Sequence, residues 1–169
     1  VIIYDFGAGS TRLPGVISVD VDPGCAPDIV GDVTGRIPEI PDASADEVRC
    51  NHVLEHVAHP RQFDVLREIC RVLKLRGRFT VKVPHPGSDS AMVPGHVHVL
   101  PPHYWRDIQR NPAEWLACDL VIDSIGEPLN ARGLELFGDM SFESIAELLP
   151  VLRNVCDETV IVGHRGGGQ

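Results

Sequence analysis

The sequence predicts an α/β protein, a single domain over residues 1–169 in which a parallel sheet is flanked by helices and the first crossover is reduced. Three observations predict it. Short apolar runs recur along the chain with Gly or Asp at their ends, the mark of buried strands. One segment between Pro60 and Lys74 has apolar residues at three- and four-residue steps. The runs and the periodic segment alternate, which favours strands joined by helical crossovers.

Taken in order, Val1 to Phe6 is an apolar run that stops at Gly7, and it reads as the first strand. Val16 to Val21 is the second, with Asp20 and Asp22 at its end. Only a few residues separate Gly9 from Val16, too few for a full crossover helix. Asp46 to Cys50 is a third, weaker strand. Phe63, Leu66, Ile69, Cys70 and Leu73 share one face of a helix spanning Pro60 to Lys74. Pro60 suits its first turn and Gly77 the position past its end. Arg78 to Val83 alternates, with Phe79, Val81 and Val83 on one side. Leu120 to Ile125 and Thr159 to Val162 read as late strands. A helix is expected from Ser141, carrying Ile145, Leu148 and Leu149 and ended or kinked by Pro150. The Gly-rich tail from Gly163 is expected to fray.

Bulk properties narrow the function. With 43% hydrophobic and 23% charged residues the composition is that of an ordinary globular domain. A net charge of -9 repels phosphate backbones, so nucleic acid is not an expected partner. The basic residues Arg61, Arg67, Arg71, Lys74, Arg76 and Arg78 read as the solvated side of the helix and its exit. Five cysteines at irregular spacings, with no CxxC pair, point to free thiols in a reducing compartment and hence a cytoplasmic location. No apolar run has the length of a membrane span, and no signal peptide is visible. The chain enters its first strand at Val1 without Met, so residues upstream are expected.

Four units carry chemistry. Asp5-Phe6-Gly7-Ala8-Gly9 ends the first strand in small residues that let a ligand approach the backbone. Asp20, at the end of the second, is placed to accept the hydroxyls of a ribose, with Asp22 its competitor. Gly31-Asp32-Val33 offers a carboxylate for an amino group or a plain turn. Asn51-His52-Val53-Leu54-Glu55-His56-Val57 follows the third strand and precedes the amphipathic helix. A dinucleotide site fits poorly. The third glycine of GxGxxG would stand at Arg12, and Asp20 follows Gly7 by 13 positions rather than about 20. No Walker-type phosphate loop occurs.

The stretch Val53-Leu54-Glu55-His56-Val57, then Leu66-Arg67-Glu68-Ile69-Cys70-Arg71-Val72-Leu73-Lys74, then Val83-Pro84-His85, resembles the class I S-adenosylmethionine (SAM)-dependent methyltransferases of the type 11 kind. Members of this kind include bacterial natural-product and glycan-modifying enzymes. The resemblance covers roughly residues 1 to 103. It implies a Rossmann-like class I methyltransferase sheet and a SAM-dependent methyltransferase activity. It also implies that Asp5, Phe6, Gly7, Ala8 and Gly9 line the methionine end of SAM. Asp20 and Val21 would hold the ribose, Asp32 and Val33 flank the adenine, and Asn51 and His52 close the pocket. The chain departs from the usual pattern at Ala8, at Thr11 and at Leu75-Arg76, where Pro-Gly is usual.

Methyl transfer to a hydroxyl needs a group to take its proton, and an imidazole suits neutral pH. His56 and His85 are the candidate catalytic residues, and the expected acceptor is a small molecule or a sugar, methylated at oxygen. Residues 84–110 are expected to form an acceptor-binding lid, with Tyr104 and Trp105 as one wall of the acceptor pocket or as packing against the sheet. Two other readings stand beside this one: a non-catalytic binding or partner subunit that keeps the fold, and a metal-assisted enzyme using His96, His98 and His103. The missing first crossover helix would leave one sheet face bare and favour a homodimer.

Overall fold

The computed structural model describes residues 1–137, 140–141, 143–145 and 156–167. Seven strands form one sheet: β1 (Ile3–Phe6), β2 (Ile17–Asp20), β3 (Ile29–Val30), β4 (Ala45–Asn51), β5 (Leu73–Pro84), β6 (Leu120–Gly126) and β7 (Glu158–Arg165). The helices with both ends among the described residues are α1 (Gln62–Val72), α2 (Pro102–Arg110), α3 (Pro112–Leu116) and α4 (Ala131–Phe137). The strand order is β3-β2-β1-β4-β5-β7-β6. The pairs among β1 to β5 are parallel, and β7 runs antiparallel to both β5 and β6. The sheet is therefore mixed, not all parallel as the sequence predicts. Strand direction is set by how the chain returns to the sheet, and the apolar run Thr159–Val162 has the same pattern in either direction.

Strand register explains the alternation. Tyr4 and Phe6 share a face with Val19, Val48, Cys50, Phe79 and Val81. These residues form one buried cluster with Phe63, Leu66 and Ile69 of α1, Trp105 and Ile108 of α2, and Leu116 of α3. The opposite face brings Asp5, Ser18, Glu47, Arg49, Thr80 and Lys82 into register. It is polar because no crossover helix separates β1 from β2: residues 7–16 are turns and irregular chain. β1 and β4 thus alternate as strands with one apolar face do, which is why β4 reads weakly in sequence.

α1 is shorter than predicted. It stops at Val72 and the chain passes straight into β5, whose first residues are Leu73 to Arg76. Gly77 does not cap the helix. It lies inside β5 opposite a bulge in β4, where an added Cβ would stand 3.0 Å from the Ala45 carbonyl oxygen. Gly163 belongs to β7 rather than to a frayed tail. A Cβ there would meet the Val121 carbonyl oxygen at 2.1 Å and the Phe79 ring at 2.4 Å, so only glycine lets β7 fit between its neighbours. The helix expected to carry Leu148, Leu149 and Pro150 falls at those positions outside the described residues.

The basic residues of α1 are not simply solvated. Arg71 donates to both carboxylate oxygens of Glu68, at 2.7 and 2.6 Å, and to the Ile40 carbonyl oxygen at 2.8 Å, and it also pairs with Asp42. Glu68, itself buried, accepts from the Ile37 N–H at 2.9 Å. This pair staples residues 37–42 onto α1. Arg67 similarly donates to the Leu116 carbonyl oxygen at 2.9 Å and holds α3. All five cysteines are free thiols.

Candidate active site

Beyond the carboxyl ends of β1, β2 and β4 lies an open cavity of about 300 Å³, lined by Gly7, Asp20, Val21, Gly31, Asp32, Val33, Thr34, His52, Val53, His56 and Val57. Its base is the bend after β1. Gly7 has φ +71° and Gly9 φ +53°, conformations that side chains resist. The Gly7 and Ala8 N–H groups both donate to the Val19 carbonyl oxygen, at 2.8 and 3.1 Å, which pins the bend to β2. A Cβ on Gly7 would lie 2.2 Å from Val53 Cγ2, whereas nothing approaches within 4 Å of one on Gly9. The bend is thus packed on one side and open on the other.

Asp20 closes the bend. Its Oδ2 accepts from the Gly9 N–H at 2.7 Å and its Oδ1 from the Asp22 N–H at 2.9 Å. Each oxygen retains a second lone pair. Asp32 is a turn aspartate as well as a lining residue: its Oδ1 accepts from the Thr34 N–H at 2.8 Å and hydroxyl at 2.6 Å, and Arg61 stands 3.4 Å from Oδ2. The Thr34 hydroxyl's hydrogen bond holds the Asp32 pKa below its ordinary value. Val21, Val33, Val53 and Val57 give the cavity apolar walls.

His52 sits at φ +56° and its ring spans two carboxylates, Glu55 Oε1 at 3.2 Å and Glu158 Oε1 at 2.9 Å. The hydrogen bond that it donates to Glu55, helped by Glu158, raises its pKa. His56 follows on the 3-10 turn Leu54–His56, and its Nδ1–H donates to the Gly95 carbonyl oxygen at 3.0 Å.

Of the residues singled out in the sequence, the cavity brings together Gly7, Asp20, Val21, Asp32, Val33, His52 and His56. Asp5, Phe6, Ala8, Gly9 and Asn51 stand behind or beside this lining rather than in it. Phe6 is fully buried in the core, and Asp5 lies buried on the polar face, where burial raises its pKa against the pull of Arg49. His85 is not at the cavity. It is buried, with Nε2 against Glu127 Oε1 at 2.9 Å and Nδ1 accepting from the Gly87 N–H at 3.0 Å, so both ring nitrogens are engaged. Trp105 has no exposed surface and packs in the core, which removes it as a wall for an acceptor. Tyr104 stacks on Phe63 with ring centroids 6.2 Å apart.

The segment after β5 contributes no residue to the cavity lining. Its main chain is tied down where the Val97 and His98 N–H groups donate to the Glu55 carbonyl oxygen at 2.8 and 3.3 Å. From Pro102 on it is helix α2, which contributes Trp105 and Ile108 to the core. The trio His96, His98 and His103 is not assembled. His98 Nε2 accepts from the His59 N–H at 3.1 Å, while His96 faces His56. Sequence reading missed Gly31, Thr34, Val53 and Val57, all within motifs it quoted or next to them, and Glu55. The signal for Glu55 is an acid between two histidines on one tight turn.

A family profile described as "Methyltransferase domain" matches residues 15–81. The matched segment is about two fifths of the chain, and the chain as a whole has the fold of the class I SAM-dependent methyltransferases. Its fold is shared with solved structures of Rossmann-like methyltransferases. One is a SAM-dependent methyltransferase from Archaeoglobus fulgidus, 18% identical, covering 96% of this chain and 85% of that one with a TM-score of 0.63. A putative methyltransferase from Bacillus halodurans is 12% identical over 98% and 92% of the two chains, with a TM-score of 0.64. A 16S rRNA adenine methyltransferase from Catenulisporales acidiphilia is 14% identical over 99% and 89%, with a TM-score of 0.62. No curated protein matches the sequence. At these identities the neighbours establish the fold, and they span different acceptors.

The methyltransferase-domain match and the SAM-dependent neighbours imply SAM as the cofactor, and the cavity fits it. The open side of the Gly9 bend leaves a cradle that a Cβ would fill, the Asp20 carboxylate stands beside it, and the valine walls suit the faces of a purine. No helix among the described residues is long and apolar enough to cross a membrane.

Proposed function

We propose that this methyltransferase domain transfers the methyl group of SAM to an oxygen of a small-molecule or sugar acceptor. The observation that carries the reading is the Gly7–Gly9 bend clamped by Asp20 beside a cavity that Gly7, Asp20 and His56 all line. In this reading Asp20 grips the ribose hydroxyls, Val21 and Val33 flank the adenine, Asp32 marks its polar edge, and the Gly7–Gly9 backbone takes the amino-acid end with Asp5 behind it. Asn51 and His52 close the side of β4. SAM supplies a methyl carbon already bonded to a sulfonium leaving group, so the protein's work is alignment and proton removal.

Of the two candidate bases, His56 is the one that lines the cavity. Its Nδ1–H is fixed by Gly95, so in the neutral ring Nε2 carries the lone pair that can accept an acceptor's proton. The net charge of -9 supports a small acceptor over a nucleic-acid one. The segment 84–101, anchored to Glu55 by its backbone, supplies the acceptor side.

Titration calorimetry with SAM and its demethylated product tests the cofactor half. One site per chain is expected, and no heat with either compound defeats the reading. Methyl-labelled SAM offered with hydroxylated small molecules and sugars tests the acceptor half. His56→Gln should lower turnover while leaving SAM affinity in place.

A further inference from the structure

Glu55, His56 and His96 converge at the acceptor end of the cavity, and one potential ligand atom from each lies within 4.8 Å of the others. The Glu55 side chain is only 2% exposed. Its Oε1 is taken by His52, but its Oε2 is buried and finds no hydrogen-bond partner among the described residues. Nδ1 of His96 is buried and equally unpartnered. The His56 and His96 rings meet edge to face with centroids 4.7 Å apart. Two unsatisfied buried polar atoms in one such cluster are costly and uncommon, and one shared partner would answer both.

We propose that these three side chains form a site for a divalent first-row transition metal of the zinc class. Two imidazoles and a carboxylate are the donor set such ions prefer, whereas magnesium and calcium favour all-oxygen surroundings. The surroundings are those of a metal site. His56 Nδ1–H donates to the Gly95 carbonyl oxygen, so Nε2 is the free ligand atom, and Glu55 Oε1 is steadied by His52. The chain that brings His96 is held by the hydrogen bond from the Val97 N–H to the Glu55 carbonyl oxygen, 2.8 Å, and by that from the His96 N–H to Val93, 3.1 Å. The site differs from a His96, His98 and His103 set, since His98 is committed to His59.

Three protein ligands leave a coordination position for an oxygen of the acceptor. A hydroxyl bound there gives up its proton to water more readily, and His56 then acts as a ligand rather than as the proton's first acceptor. That use rests on the methyl-transfer reading, whereas the metal site itself does not.

The test uses the full chain stripped with chelator and titrated with Co²⁺, followed by its d–d absorption, and with Zn²⁺ in competition. One ion per chain is expected, with at least a tenfold loss of affinity in His96→Ala and in Glu55→Gln, and none in His98→Ala or His103→Ala. Circular dichroism identifies which variants are folded. His96 lies in a loop and Glu55→Gln is isosteric, so either folded variant decides. No stoichiometric binding in the wild type, or binding unchanged in a folded variant of His96 or Glu55, overturns the proposal. Calorimetry with SAM on the same samples separates the two readings. Metal binding without SAM binding keeps the site and defeats methyl transfer, and SAM binding without metal binding does the reverse.

Discussion

The Gly9 N–H and the Asp20 carboxylate are joined by a 2.7 Å hydrogen bond that ties the glycine bend after β1 to the end of β2. Asp20 is thereby both a structural clamp and a lining residue of the cavity. Asp20→Ala should weaken SAM binding by about 1.5–3 kcal/mol, the worth of a charge-assisted hydrogen-bond pair, and should lower the melting temperature as well. Asp20→Asn keeps one carbonyl oxygen and should fall between. Calorimetry with SAM checks this, and unchanged affinity in Asp20→Ala removes the residue from the site.

The two glycines of the bend should respond differently. Gly9→Ala meets only the backbone penalty of its positive φ, about 1–2 kcal/mol, because its surroundings are open. Gly7→Ala adds a collision with Val53, for a total of about 2–4 kcal/mol. Urea denaturation of Gly7→Ala, Val53→Ala and the double variant should show coupling of about 1 kcal/mol or more. Strict additivity would mean that the two walls of the cavity do not touch.

Glu68 and Arg71 hold residues 37–42, which follow the cavity residues Gly31 to Thr34. Glu68→Ala strands the Arg71 guanidinium and the Ile37 N–H in a largely buried place, and should cost about 3 kcal/mol in chemical denaturation. Arg71→Lys keeps the charge but loses the two-pronged contact, for about 1–2 kcal/mol. Equal losses would show that charge alone, without the fork geometry, does the holding.

Asp28 gives the fold an acid limb. Its carboxylate accepts from the Ser18 hydroxyl at 2.6 Å and the Ser18 N–H at 2.8 Å, and these bonds lower its pKa. A depressed carboxylate contributes its stability above the unfolded pKa of about 3.9 and loses it as pH falls through the folded value. Thermal melts of wild type and Asp28→Asn should therefore differ most near neutral pH, begin to approach one another near about pH 4, and converge only below the lowered folded value. A gap that persists in acid would point to a packing effect of the substitution.

Much of this was legible in the sequence. The strand ends, α1 and the Asp20 position follow from local patterns, because apolar periodicity and turn residues act over a few positions. The antiparallel setting of β7 was not legible, since no local signal carries direction. His85 illustrates the limit at the site. Its place after a strand is what a catalytic residue would have, yet Glu127, 42 positions away, engages its ring. Glu55 and His96 are likewise 41 positions apart in the chain and meet only because β4 and the end of β5 are neighbours.

The one-sided apolar layer has a thermodynamic consequence. Residues from Tyr4 to Ile161 share a single cluster, while Ile145 and Cys156 form only a small satellite with Leu129 and Phe137. No part of the described chain owns a separate interior that would survive the loss of the rest. Heating should therefore melt sheet and helices together in one cooperative transition, preceded at most by loosening of the satellite.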